Sequence, residues 1–395
     1  MDIRNSVYED IATRSGEHVT GIQLGSLVQR LLLFDRVVLR SYRLREMPFL
    51  VRAFGISGFR ELLNLGILKI ACPFTTVISG MAINGVPTLP PFHFSFATAS
   101  IQDPEGGMNH ELRRLQGVPG LKNVERTVLE EKILSSVCKP SGDYASRVLS
   151  QIESDMRGNL PILTAAFDYQ LKRKFGQDVP PVHLHVEETD PRIFHIVSDG
   201  LTSSGMEHAE TQQMMELATR AVGAANQRLA DMQEYASITG FADDEAPILF
   251  GKLSGIMGSL NPRPLEENFK RVITLTGLPD FGNRTRVDLE KLLKVRESSE
   301  CQEFRKWLAN LNELSDDQIT EVVREFRSKI GTLLQSGVGK VFRFVVAAGI
   351  GAIPGAGIAL GPALGAVDMF LLERLFPRPG YLAFLTQTYP SLFKE

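Results

Sequence analysis

Four residues in one short stretch could do chemistry together. "HLHVE" carries His183, His185 and Glu187 at alternate positions, and "RIFHI" follows with His195. On a β-strand alternate side chains share a face, so the first three point the same way. Two imidazoles and a carboxylate on one face are a reasonable first shell for a divalent metal such as zinc. His195 joins them only if the turn between the strands has the right parity. A two- or four-residue turn pairs odd positions with even ones, and a three- or five-residue loop pairs odd with odd. Asp190–Pro191 favours a tight type I turn, so the expectation is that His195 lies on the opposite face. The plainer reading is a hairpin whose Val182, Leu184 and Val186 face inward while the histidine and glutamate face meets water.

The stretch around them reads as a β-hairpin near 181–198 set among helices. Before it, residues 1–106 mix helix and strand signals. "DRVVLRS" and "ILKIAC" read as strands, separated by two short helices in "LREMPFLVRAFG" and "GFRELLNLG", the second stopped by Gly66. That order suggests an α/β domain with parallel pairing. "PFHFSFATAS" is a further strand. Residues 107–280 form a mainly helical domain around the hairpin, with 277–286 as linker. Residues 288–395 form a helical C-terminal region. It opens with one long charged helix over "VDLEKLLKVRESSECQEFRKWLANL". A face centred on Arg296, Arg305 and Trp307 is a candidate for binding a protein partner.

The chain has 395 residues, Lys+Arg 43 against Asp+Glu 46, and a formal net charge of −3. A protein that lives on phosphate backbones carries a basic surplus, so direct nucleic-acid contact is not expected. Cys72, Cys138 and Cys301 are far apart, match no zinc-finger spacing, and read as passive thiols of a reducing cytoplasm. The polar N-terminus has no secretory h-region. There is no G-x-x-x-x-G-K-[ST] loop and no G-x-S-x-G elbow. "GIGAIPGAG" follows a helix rather than a strand, which argues against a dinucleotide site. Enzymatic activity is therefore left open, leaning against, with a zinc-type metal as the alternative to no cofactor.

The other unusual segment is Phe344–Val367, 24 residues without a charge in a chain that is 23% charged. Pro354 and the glycines beside it break it into a helical hairpin with legs of about 341–353 and 358–376. Gly349, Gly351, Gly355, Gly357, Gly361 and Gly365 are spaced so that another backbone can approach closely. Lys340 and Arg343 precede the stretch, and Arg374 and Arg378 follow it. Basic residues at both ends place both on the cytoplasmic side, as in a hairpin that enters the bilayer and returns. The legs reach only about 20–28 Å, short of the ~30 Å hydrocarbon core. In composition the hairpin resembles the hydrophobic hairpin of pore-forming colicins, which implies a segment that is sheltered until release.

The expected function is that of a membrane-associating effector, of a bacterial defence or competition type. It would be cytoplasmic, would associate conditionally with the inner face of the membrane, and would perturb it when a protein partner releases the hairpin. A homo-oligomer is a further expectation. A soluble metal-dependent enzyme and a soluble scaffold are the competing expectations.

Overall fold

The computed structural model describes residues 6–15, 18–41, 43–72, 75–80, 92–100, 103–158, 160–176, 183–190, 193–199, 208–239, 245–253, 263–282, 284–309, 311, 315–317, 319–320 and 380–394. The chain divides into two compact units, Met1–Pro262 and Arg263–Glu395.

The first unit contains a five-stranded parallel sheet. Its strands are β1 (Ser6–Glu9), β4 (Arg36–Arg40), β5 (Leu68–Ala71), β8 (Val137–Cys138) and β11 (Ile238–Thr239). They lie side by side in the order β11-β1-β4-β5-β8. All four pairings are parallel, with Val7 beside both Val37 and Ile238, and Ala71 beside Cys138. Helix α1 (Leu24–Leu33) connects β1 to β4, and α2 (Met47–Asn64) connects β4 to β5. Parallel neighbours require such crossovers. The apolar run of each strand fits a sheet covered on both faces: Val7, Val37, Val38, Leu39, Leu68 and Ile70 are all buried. A hairpin of β2 (Ala12–Ser15) and β3 (His18–Ile22) sits between β1 and α1.

Two glycines behave as the sequence indicated. Gly55 has φ +72° and breaks α2 into two helices. Gly66, at φ +66°, follows the last turn. Both conformations are costly for a residue with a Cβ.

The third and fourth crossovers carry a second sheet. β6 (Thr75–Gly80) and β7 (Phe92–Ser100) lie between β5 and β8, whereas β9 (His183–Asp190) and β10 (Ile193–Asp199) lie between β8 and β11. They assemble as an antiparallel sheet in the order β6-β7-β10-β9. α3 (Pro104–Leu112) and α4 (Asn123–Ser135) complete the third crossover. α5 (Tyr144–Gly158), α6 (Leu160–Phe175), α7 (His208–Tyr235) and α8 (Ala246–Leu253) supply the helical remainder. Phe94, Phe96, Leu184, Phe194 and Ile196 of the second sheet share one core with Ile152, Phe167, Met215 and Val222.

This arrangement confirms an α/β N-terminal part with parallel pairing and a helical middle region. The expected boundary at 106 falls inside the path of the parallel sheet, which takes β8 and β11 from far downstream. Residues at the sheet's start fasten β11 in place. Arg36 Nε donates to Ser6 Oγ at 2.9 Å, Ser6 Oγ meets Ser237 Oγ at 2.6 Å, and Arg36 also reaches the Ala236 carbonyl.

The second unit contains α9 (Arg263–Thr276), α10 (Leu289–Glu297), α11 (Ser299–Ala309) and a C-terminal tail. The expected linker 277–286 lies inside this unit. The single charged helix expected over 287–311 is in fact two. Ser298 adopts an extended conformation (ψ 148°) between α10 and α11, and its hydroxyl accepts the Cys301 N–H at 3.2 Å. Serine competes with the helix by making this local bond and restarts it as a cap. The tail opens with α12 (Gly380–Ala383) and continues through two further turns to Phe393. The apolar hairpin expected over 341–376 lies outside the described residues.

Candidate functional site

β9 alternates as its sequence demands. Leu184 is buried, and His183, His185 and Glu187 are exposed. Asp190 pairs with Ile193 across two residues, and that pairing alone would carry His195 to the opposite face. The register then shifts between Ile193 and Phe194, so that Phe194 faces Glu188 and His195 faces Glu187. One extra residue on β9 reverses the parity. The expectation that His195 lies apart is thereby corrected: His195 shares a face with His183, His185 and Glu187. Across β10, His195 also stands in register with His93 of β7.

These residues edge a cleft of about 330 Å³. His185, Glu187 and His195 line its sheet side, and Met156, Arg157 and Leu160 line it from the α5–α6 junction. Arg157 forks onto Glu188, with Nε–Oε2 at 2.5 Å and a second nitrogen–Oε1 contact at 2.9 Å. Hydrogen bonding to Glu188 raises the guanidinium pKa further, which fixes it as a cation. The cleft can hold a small polar group against two imidazoles and a carboxylate. A metal is a harder fit. Among the described residues no three His, Cys, Asp or Glu side chains converge where one ion could sit. Positions i and i+2 of a strand stand about 7 Å apart, whereas zinc needs donors at ~2.0–2.3 Å from one point. A row along a strand is not a tripod.

A second constellation lies between the parallel sheet and the last turns of α7, and the sequence reading missed it. Asp231 of α7 is buried and accepts the Tyr144 hydroxyl at 2.5 Å. Arg40, at the end of β4, is its strongest compensating charge. Tyr8 of β1 stacks on Tyr235, with centroids 5.1 Å apart and 12° from parallel. Burial raises the Asp231 carboxyl pKa despite Arg40, and raises all three tyrosines. The phenols stay protonated donors. Next to this group, Ser41 donates to the buried Glu46 carboxylate and accepts the Leu44 N–H at 3.0 Å. Arg43 and Leu44 both have φ above +60°, a strained backbone of the kind found where function constrains it. Open parallel sheets bind ligands beyond the carboxyl ends of their strands where the order reverses. Here that reversal is at β1, flanked by β4 and β11. The only local signal was a run of arginines, Arg40, Arg43 and Arg45, directly after a strand. Tyr8, Tyr144 and Asp231 have no sequence spacing that betrays them.

Cys72 is buried at the end of β5, and burial with Glu46 nearby pushes its thiol up to about 12. It is inert as a nucleophile, in keeping with the passive reading.

Glu46 gives a pH prediction. Burial raises its carboxyl pKa, ahead of the opposing Ser41 hydrogen bond and the Arg14 charge at 3.7 Å. A raised carboxyl favours folding in its protonated form. That contribution is complete below its ordinary value of about 4.3 and fades as pH rises through the folded value. Glu46→Gln should therefore lose less stability than wild type as pH rises above that ordinary value in urea titrations. Asp231, shifted in the same sense, should leave a residual decline. Parallel curves for the two proteins would remove Glu46 as a contributor.

In the second unit, Arg296 is on α10, whereas Arg305 and Trp307 are on α11, across the Ser298 break. Arg305 stands against the Cys301 thiol, whose pKa is raised by burial and held back by that cation. Trp307 lies flat on Tyr381, with centroids 4.6 Å apart and 5° from parallel. The indole face read as a partner surface is thus taken by the chain's own tail. Gly349, Gly351, Pro354, Gly355, Gly357, Gly361, Gly365, Lys340, Arg343, Arg374 and Arg378 lie outside the described residues. Among the described residues no helix is long and apolar enough to cross a membrane.

No family model, curated protein or solved structure matches this chain.

Proposed function

We propose that this protein is an effector that engages the cytoplasmic face of a membrane through its apolar glycine-rich segment, 341–376, under the control of a partner or ligand. One observation carries the reading beyond composition. The described chain on either side of residues 321–379 belongs to the same unit. On one side Ile319 is buried, and Asp316 pairs with Arg271 of α9. On the other, Gly380 donates to Glu303 of α11. A segment that leaves and rejoins one folded unit suits an excursion that enters a bilayer and returns, not a single crossing. The basic residues at both ends favour the same topology.

The test is dye release from vesicles of phosphatidylglycerol and phosphatidylcholine. Leu360→Asp places a charge in the segment, at a cost of about 2.5–3.5 kcal/mol at bilayer depth. Release by wild type should fall by about a hundredfold in the variant. Equal release by the two proteins would rule the segment out as the acting part.

A further inference from the structure

The second sheet runs β6-β7-β10-β9, and among the described residues β9 pairs with β10 alone. An edge strand presents a row of backbone N–H and C=O groups to any further strand, and proteins blunt such edges with proline, lysine, bulges or short length. β9 is eight residues long and contains neither proline nor lysine. Its register against β10 is regular from His183 to Glu188 and shifts only beyond. Glu188, on its inner face, is engaged by Arg157 of the same chain. Val186 of the inner face lines the cleft together with His185 and Glu187 of the outer face, so the cleft runs past the strand's edge.

The outer face of β9 is complementary to itself. Two copies of a strand related by a two-fold axis normal to the sheet pair antiparallel and keep like faces together. With Val186 on that axis, His185 of each copy stands opposite Glu187 of the other. Both side chains are exposed, and an imidazole opposite a carboxylate is a favourable cross-strand pair. A shift of two residues one way sets His185 against His185, and the other way Glu187 against Glu187. The strand's own charges therefore favour the register centred on Val186. β6, the opposite edge, reads TTVISG and has no charge that could choose a register.

We infer that β9 is a self-association edge: two copies of this chain join β9 to β9, with His185 against Glu187, into one continuous sheet. A specific stable interface buries ~1,200–2,000 Å². One strand pair buries less, so the dimer is weak and forms at ~1 µM to ~0.5 mM protein. It is independent of the membrane reading above.

Sedimentation velocity of the full-length protein over that range is the first test. Wild type should pass from monomer to dimer. His185→Glu sets carboxylate against carboxylate twice and should weaken the dimer about tenfold. Glu187→His should weaken it too. The exchanged variant His185→Glu/Glu187→His restores both unlike pairs and should return to within about twofold of wild type. Circular dichroism checks that each is folded.

Cross-linking reads the register. Directly opposite residues have Cα atoms ~4.5–5.5 Å apart, within the ~4.4–6.8 Å of a disulfide, whereas diagonal ones stand ~7–8 Å apart. A mixture of His185→Cys and Glu187→Cys proteins, oxidised with diamide, should therefore give a bridge between positions 185 and 187 by peptide mass mapping. Either protein alone should give far less. A chain that stays monomeric throughout and forms no such bridge would overturn the inference. So would a dimer indifferent to both single substitutions, because its interface would lie elsewhere.

Discussion

Asp155→Ala should lower the unfolding free energy of the first unit by about 3–5 kcal/mol, among the largest effects of any single substitution here. Asp155 lies in α5 and is buried. Its Oδ2 accepts from Lys252 Nζ of α8 at 2.6 Å and from Asn226 Nδ2 of α7 at 2.7 Å. Asn226 is fully buried, and the Lys252 side chain is only 15% exposed. Removing the carboxylate leaves the Lys252 ammonium with the neutral Asn226 Oδ1 and the Asn226 amide with the Val222 carbonyl, and no counter-charge inside the helical layer. The penalty comes from that uncompensated charge rather than from the worth of the pair itself. The double variant Asp155→Leu/Lys252→Met should therefore recover most of the loss. Urea unfolding of both variants measures it, and a single-variant loss under about 1 kcal/mol would mean that water reaches the pair. Met156 and Arg157 follow Asp155 directly and wall the histidine-bearing cleft, so the same substitution should loosen that wall.

Phe304→Ala should have a comparable effect on the second unit, about 3–5 kcal/mol. The Phe304 ring is fully buried and stands 4.2 Å from Phe384, 5.9 Å from Phe269 and 5.9 Å from Trp307, by centroids. It joins α9, α11 and the tail, so its loss opens a cavity on three elements at once. Aromatic pairs add ~0.5–1.5 kcal/mol beyond the area they bury. Denaturation followed by Trp307 emission should show an earlier transition for the tail contact than for far-ultraviolet circular dichroism. Coincident, unshifted transitions would show that the tail is held by Tyr389 and Phe393 instead.

The sequence by itself determined the elements whose signals are local. The helical character of residues 107–280 was legible, and the apolar runs marked β4, β5 and β7. Gly55 and Gly66 marked the ends of the two short helices in α2. The uncharged stretch from Phe344 to Val367 was legible from composition alone, because the absence of charge over that length needs no partner to be noticed. So was the alternation of β9, which fixes Leu184 inward and His185 outward wherever the strand goes.

Tertiary structure decided what depends on pairing. Val137–Cys138 and Ile238–Thr239 are strands only because Ile70–Ala71 and Val7–Tyr8 lie beside them, and two residues carry no periodicity of their own. The face of His195 turned on one bulged residue, and a register shift of one reverses every side chain after it. The break at Ser298 depends on a single hydroxyl finding the Cys301 N–H. Tyr8, Tyr144 and Asp231 meet across more than 200 positions of sequence because the sheet and α7 bring them together. Their burial, and not their spacing, is what raises their pKa values. Trp307 reads as an exposed partner face until Tyr381, 74 positions later, is laid against it. Local propensity is written in neighbours along the chain, whereas burial, register and contact depend on which distant segments arrive.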